Sequence, residues 1–172
     1  MRKIKTILVG QSGGPTAAIN ASLAGVIRTA YSHNLRILGM RNGIQGFLEG
    51  RVVDLTQALN LASSPHTAEQ NLKLLRKTPS SWLGSCRFKL PEPDENPSFY
   101  QRVTARMNEL GIDVILYIGG NDSMDTTDKL SRYFANTGID VPVVGVPKTI
   151  DNDLEGTDHT PGFGSAAHFV AT

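Results

Sequence analysis

The segment from Pro147 to Asp153 places one lysine and two aspartates directly after an apolar run. These residue types suit phosphoryl transfer. An ammonium group neutralises the transferring phosphoryl group, one carboxylate accepts the proton of the attacking hydroxyl, and another orients Mg²⁺. Lys148, Asp151 and Asp153 are the candidates for this chemistry. The Asp-Asn-Asp sequence also suits a polar turn closed by side-chain hydrogen bonds, and we favour catalysis over that alternative.

Two earlier segments, Gly13–Gly14 and Gly119–Asp122, also follow apolar runs and contain paired glycines. Glycines let backbone N–H groups approach an anion closely, and the N-terminus of a following helix attracts negative charge. Gly13 and Gly14 are therefore a candidate phosphate site, with an unliganded tight turn as the alternative. Asp122 is either a simple helix cap or a carboxylate that belongs to the site.

Arg87 follows a third turn of small residues, Leu83–Cys86. Its guanidinium suits the bridging of two phosphates, although an arginine on an ordinary surface loop is the commoner case. The sequence places no base beside Cys86, so we expect that cysteine to be a small packed residue. The four histidines do not have the spacing of metal ligands.

Short apolar runs alternate with helical patterns, which predicts a three-layer α/β/α (Rossmann-like) domain with a mainly parallel sheet. The predicted strands are Thr6–Val9, Leu35–Met40, Val114–Ile118 and Val141–Val146, with a short edge strand at Arg51–Leu55. The predicted helices begin near Thr16, cover Ala68–Arg76, run from Phe99 to Leu110 with a stop at Gly111, and follow Ser123. Loops that follow parallel strands emerge at one edge of the sheet. The three candidate loops should therefore surround one crevice, provided that their strands are neighbours.

The composition narrows the classes of function. A net charge of +1 gives no broad basic surface for nucleic acid or for an anionic membrane. A single cysteine excludes an internal disulfide framework and fits the reducing cytoplasm. The apolar run Ile7–Val9 is too short for a signal-peptide core or a membrane span. A helix that starts near Gly162 has no stop signal, so we predict that residues 1–172 are the N-terminal domain of a longer protein.

Four segments resemble the phosphofructokinase family in order and spacing, and together the resemblance covers essentially the whole chain. They are Gln11–Ser22, Leu83–Phe88, Tyr117–Ser123 and Pro147–Leu154. The resemblance implies transfer of a phosphoryl group to the 1-hydroxyl of fructose 6-phosphate, with Mg²⁺. It also implies a second α/β lobe that holds most of the sugar phosphate, and a homo-oligomer, either a dimer or a tetramer.

The resemblance also assigns roles to individual residues. Asp151 matches the base that accepts the hydroxyl proton, Thr149 a contact with the sugar phosphate, and Asp153 a second acid of the site. Gly13 matches the glycine whose backbone holds the donor phosphates. Arg87 matches an arginine that reaches the transferring phosphoryl group.

Asp122 and Lys148 bear on the phosphoryl donor, because pyrophosphate-dependent members of the family carry an acid and a lysine at the matching positions. We expect the two side chains to lie opposite each other in one anion pocket. There the Asp122 carboxylate would crowd and repel the inner phosphate of a nucleotide, and Lys148 would supply charge to a donor that has no adenosine. We therefore predict pyrophosphate as the donor. ATP is the first alternative, and a non-catalytic ligand-binding subunit is the second. A related kinase that acts on NAD or lipids fits the segment Thr149–Asp153 poorly.

The predicted Mg²⁺ ligands are Asn121 and Asp122. Asn121 stands where most of the family has an aspartate associated with the metal, and an amide oxygen binds Mg²⁺ more weakly than a carboxylate. Either Asp122 replaces that aspartate, or the donor itself holds most of the metal.

Overall fold

The computed structural model describes residues 3–172, in which five strands form one sheet. The strands are β1 (Thr6–Gln11), β2 (Arg36–Met40), β3 (Val52–Asp54), β4 (Val114–Gly119) and β5 (Val143–Pro147). The helices are α1 (Ala17–Ser32), α2 (Gly43–Leu48), α3 (Leu55–Ala58), α4 (Pro65–Lys77), α5 (Pro97–Leu110), α6 (Asn121–Thr137) and α7 (Phe163–Ala171).

The strand order is β3-β2-β1-β4-β5, and only β3 runs antiparallel to its neighbour. Parallel strands β1, β4 and β5 are consecutive in this order, so their carboxyl ends meet at one edge of the sheet. This confirms both the mainly parallel sheet and the predicted proximity of the three loops that follow these strands.

Alternate residues along the strands enter two separate apolar cores. Ile7 and Val9 of β1 pack with α1, α3 and α4 on one face of the sheet. Leu8 packs with α2, α5 and α6 on the other face. The period of two that a strand imposes on its side chains thus gives the predicted three layers.

Most predicted elements are present, with shifted boundaries. Strand β1 extends two residues beyond Val9, to Gln11. Helix α4 begins at Pro65 rather than Ala68, because Ser64 caps it by accepting a hydrogen bond of 3.1 Å from the Thr67 N–H. Helix α5 ends as predicted at Gly111, which has a φ of +65°.

The short helix α2 was not predicted from the sequence. Two of its six residues, Gly43 and Gly46, are weak helix formers. The helix brings Gly46 so close to the Arg41 carbonyl that a Cβ at this position would overlap the oxygen. Gly43 in turn faces Cys86 and Tyr117, which leave no room for a Cβ, so tertiary packing selects glycine there despite its low helix propensity. No helix among residues 3–172 is long and apolar enough to cross a membrane.

Candidate active site

Two cavities open at the carboxyl edge of the sheet, one on each side of the turn formed by Gly13 and Gly14. The first has a volume of about 240 Å³ and is lined by Gly14, Pro15, Thr16, Gly120, Asn121, Lys148, Thr149, Ile150 and Asp151. The second has a volume of about 280 Å³ and is lined by Ser12, Gly13, Gly14, Cys86, Arg87, Phe88, Lys89 and Asp122. Gly14 contributes to both cavities, which are therefore adjacent.

Gly13 lies in the left-handed region, with a φ of +78°, and so favours glycine. The Ser12 N–H donates to the Ile118 carbonyl at 2.9 Å, which fixes the start of the turn against β4. The Ser85 hydroxyl donates to the Gly13 carbonyl at 2.7 Å. The turn is thus held by contacts on both sides.

Lys148 is buried at the end of β5, with 5% of its surface exposed. Its backbone N–H donates to the Gly119 carbonyl at 2.9 Å, and its side-chain Nζ donates to the Gly14 carbonyl. Among residues 3–172 no carboxylate forms an ion pair with this ammonium group. Burial lowers the pKa of Lys148, and the charge of Asp151 opposes that change. A buried ammonium group without an ion pair favours the binding of an anion.

Asp151 lies in the same cavity as Lys148, and its side chain is exposed. Its backbone N–H donates to the Thr149 hydroxyl at 3.0 Å. Thr149 is itself buried, and its N–H donates to the Pro161 carbonyl at 2.8 Å. The carboxylate therefore projects from an anchored backbone into open space, where it can accept a proton.

Asn121 and Asp153 are joined across two loops, because the Asn121 Nδ2 donates to the Asp153 Oδ2 at 2.9 Å. This hydrogen bond, followed by one from the Thr149 side chain, lowers the pKa of Asp153. Asp153 lines neither cavity. Its observed contact instead links the loop after β5 to the start of α6.

The predicted site residues divide between the two cavities. Lys148, Thr149, Asp151 and Asn121 lie in the first, whereas Arg87, Asp122 and Gly13 lie in the second. Asp122 and Lys148 were predicted to face each other across one anion pocket. In the structure they line different cavities, and Gly14 borders both.

Sequence analysis assigned no role to Gln11 and Asn20, although both are completely buried beside the site. Gln11 Nε2 donates to Asn20 Oδ1 at 3.0 Å. Gln11 Oε1 accepts from the Leu83 N–H at 2.8 Å, and Asn20 Oδ1 accepts from the Trp82 N–H at 3.0 Å. These polar side chains replace backbone pairing for the segment 78–84, which leads to Arg87.

Asn20 also donates from Nδ2 to the carbonyls of Thr78 and Ser80, at 2.9 and 2.8 Å. The sequence does contain a signal for this role. Asn20 is a polar residue on the apolar stripe of α1, between Ile19 and Leu23. A buried amide at such a position needs several partners, and here the loop before Arg87 provides them.

The predicted metal ligands, Asn121 and Asp122, are the first two residues of α6. No group of three or more His, Cys, Asp or Glu side chains suited to a metal occurs among residues 3–172. Asn121 uses its amide N–H on Asp153 and keeps its oxygen for another partner. The exposed Asp122 carboxylate has no hydrogen bond or ion pair within the described residues. The donor set therefore suits a hard cation that takes most of its ligands from elsewhere.

The family model described as phosphofructokinase matches residues 6–172 of the chain. The chain is 41% identical over 165 residues to the pyrophosphate–fructose 6-phosphate 1-phosphotransferase of Xanthomonas campestris pv. campestris (strain B100). That match covers 96% of the chain and 37% of the relative. The chain is also 34% identical over 167 residues to the ATP-dependent 6-phosphofructokinase of Vibrio parahaemolyticus serotype O3:K6 (strain RIMD 2210633), covering 97% of the chain and 46% of that relative.

A crystal structure of a pyrophosphate-dependent phosphofructokinase from Nitrosospira multiformis superimposes on the chain with a TM-score of 0.83. The two sequences are 40% identical, and the match covers 97% of this chain and 39% of the other. The chain thus spans less than half the length of these three proteins.

The lowered pKa of Lys148 predicts a specific pH dependence of stability. Between that pKa and the ordinary lysine value, the unfolded chain binds a proton at Lys148 that the folded chain has released. The free energy of unfolding should therefore rise with pH in this range. Relative to Lys148→Met, the unaltered chain should gain stability as the pH increases, as measured by urea unfolding.

Lys77→Met is the matched control, because Lys77 is exposed at the end of α4. The stability difference between that variant and the unaltered chain should stay constant over the same range. The stability of the unaltered chain relative to Lys148→Met could instead stay constant or fall as the pH increases. Either result would mean that burial does not disfavour the ammonium group.

Proposed function

Because the chain belongs to the phosphofructokinase family, we propose that it is the donor-binding part of an enzyme that transfers a phosphoryl group from pyrophosphate to the 1-hydroxyl of fructose 6-phosphate. The product is fructose 1,6-bisphosphate. The observation that carries the proposal is the buried Lys148 ammonium, which lies beside the Gly13–Gly14 turn without an ion-pair partner among residues 3–172. The names of the Xanthomonas and Nitrosospira relatives support the same donor.

Lys148 supplies the positive charge that a donor without a nucleoside needs from the protein. Its ammonium donates to one carbonyl and has further N–H groups to offer an anion in the first cavity. Arg87 approaches the same turn from the second cavity, where its guanidinium can bridge donor oxygens. Both charges stabilise the negative charge that spreads over the phosphoryl oxygens during transfer.

Asp151 is the general base of the proposal. Its exposed carboxylate accepts the proton of the attacking 1-hydroxyl, and Lys148 is positioned nearby to neutralise the phosphoryl group that this hydroxyl attacks. Thr149 holds the Asp151 backbone through its hydroxyl, and in this proposal it also contacts the sugar phosphate. Asp153 is the second acid of the site and acts beside Asn121.

The residues present fit Mg²⁺ if the donor supplies most of its ligands. Asp122 has an uncommitted carboxylate, and Asn121 has an amide oxygen that the hydrogen bond to Asp153 leaves available. These two residues would hold the ion, which when bound neutralises charge on the donor phosphates.

Donor selection in this proposal depends on Asp122. Its carboxylate lines the second cavity with Arg87 and Phe88. A carboxylate there repels the inner phosphates of a nucleotide, whereas pyrophosphate has no nucleoside to place and can lie between Lys148 and Arg87. An ATP-dependent phosphofructokinase is the second candidate, because the name of the Vibrio relative gives ATP as its donor. A non-catalytic subunit is less favoured, because Asp151 and Lys148 share a cavity.

The remainder of the proposed enzyme includes a second α/β lobe that holds the sugar phosphate, in a cytoplasmic homo-oligomer. The relatives are more than twice as long as the matched region, which leaves room for such a lobe. We expect the 172-residue chain by itself to bind the donor and to lack turnover.

The donor is tested by assaying a full-length protein that contains this chain for fructose 1,6-bisphosphate, with either pyrophosphate or ATP and with Mg²⁺. Turnover is expected with pyrophosphate. The double variant Asp122→Gly/Lys148→Gly should lower kcat/KM for pyrophosphate by at least about tenfold, because a charged hydrogen-bond donor is lost. Robust turnover with ATP and none with pyrophosphate would contradict the proposal.

The base is tested by Asp151→Asn, which keeps the shape of the side chain and removes its ability to accept a proton. We expect kcat to fall by about 10³-fold, while KM for pyrophosphate changes little. Glu155→Gln is the matched control, because Glu155 is an exposed carboxylate on the same loop, and it should retain full activity. Equal losses in the two variants would assign the proton transfer to another group.

A further inference from the structure

Asn152 lies between the two acids Asp151 and Asp153, and neither the sequence motifs nor the proposed mechanism gives it a task. Its backbone has a φ of +57°, in the left-handed region that side chains other than glycine seldom adopt. Asparagine tolerates this conformation better than most residues, because its side chain can form local hydrogen bonds.

The Asn152 side chain uses both ends of its amide to hold the segment 158–160. Its Oδ1 accepts from the Thr160 N–H at 2.9 Å and from the Thr160 hydroxyl at 3.2 Å. Its Nδ2 donates to the Asp158 carbonyl at 3.1 Å. Thr160 is 1% exposed, so these bonds anchor Asn152 to a buried residue.

The segment 158–162 also holds Thr149, at the start of the loop 148–153 that follows β5 and carries Asp151. The Thr149 N–H donates to the Pro161 carbonyl at 2.8 Å, and Thr149 forms an isolated parallel bridge with Gly162. The loop is therefore fixed before Asp151 by Thr149, immediately after it by Asn152, and again at Asp153 by Asn121. Of these three anchors, Asn152 is the one adjacent to both acids.

We propose that Asn152 is a positioning residue, which holds the Asp151 carboxylate in its catalytic orientation by clamping the loop to Asp158 and Thr160. The inference rests on the proposed function, since it gives Asp151 a proton to accept. A displacement of about 1 Å in a catalytic group lowers the rate about 100-fold, so the clamp acts on kcat more than on binding of the donor.

Asn152→Gly tests the clamp without straining the backbone, because glycine adopts a positive φ freely. In the full-length enzyme we expect kcat to fall about 100-fold, with KM for pyrophosphate within about twofold of the original value. Asn34→Gly is the matched control. Asn34 has a φ of +55°, is exposed between α1 and β2, and forms no side-chain hydrogen bond within residues 3–172. It should keep its original kcat.

Thr160→Val removes the hydroxyl that donates to Asn152 and keeps the shape of the side chain. Alone it should lower kcat by a smaller factor, and combined with Asn152→Gly it should add no further loss, because both changes break the same contact. Additive losses would overturn the inference, and so would an unchanged kcat in Asn152→Gly. If Asn152→Gly does not fold, Thr160→Val carries the test, and an original kcat in that variant overturns the inference.

Hydrogen exchange of the 172-residue chain separates this inference from the proposed function. Exchange of the Thr160 and Asp151 amides should accelerate in Asn152→Gly and remain unchanged in Asn34→Gly. Suppose that the unaltered full-length enzyme fails to use pyrophosphate, while exchange of these amides is faster in Asn152→Gly. The proposed function then fails and the clamp stands. If turnover is normal and the amides do not respond to Asn152→Gly, the clamp fails and the function stands.

Discussion

The candidate site depends on one buried charge, the ammonium group of Lys148 held against the Gly14 carbonyl. The contact joins the end of β5 to the turn after β1, although 134 positions separate the two residues in the chain. It is possible because β1, β4 and β5 are adjacent and parallel, with the Lys148 N–H fixed on Gly119 at the end of β4. A cation removed from water in this way is stabilised when an anion binds beside it.

Polar side chains, rather than apolar packing, hold the other parts of the site. Gln11 and Asn20 fix the loop that leads to Arg87, and Asn121 fixes Asp153. Amide side chains suit this role because each both donates and accepts, so that one residue joins two loops that have no regular backbone pairing. The two apolar cores lie on the two faces of the sheet.

The layered fold could be predicted from the sequence because it follows from local periodicity. The uninterrupted apolar run Ile7–Val9 predicts a strand that is buried on both faces. The apolar stripe from Phe99 to Leu110 predicts a helix that ends at Gly111. Helix α2 was missed because Gly43 is selected by residues distant in sequence: a Cβ at this position would lie 2.6 Å from Cys86 Sγ and 2.7 Å from the Tyr117 hydroxyl oxygen. The predicted residues do gather at one edge, since strand order alone decides that. Their division between two cavities was not predictable, because it depends on the path of the Gly13–Gly14 turn.

The central claim, that the Lys148 ammonium is the counter-charge for pyrophosphate, is tested most directly by proton uptake on binding. Pyrophosphate is titrated calorimetrically into the chain in buffers of different ionisation enthalpy, at a pH between the lowered pKa of Lys148 and the ordinary lysine value. An anion beside Lys148 raises its pKa again, so binding should take up a proton that is not taken up by Lys148→Met under the same conditions. Binding of equal affinity and equal proton uptake in the two proteins would contradict the account.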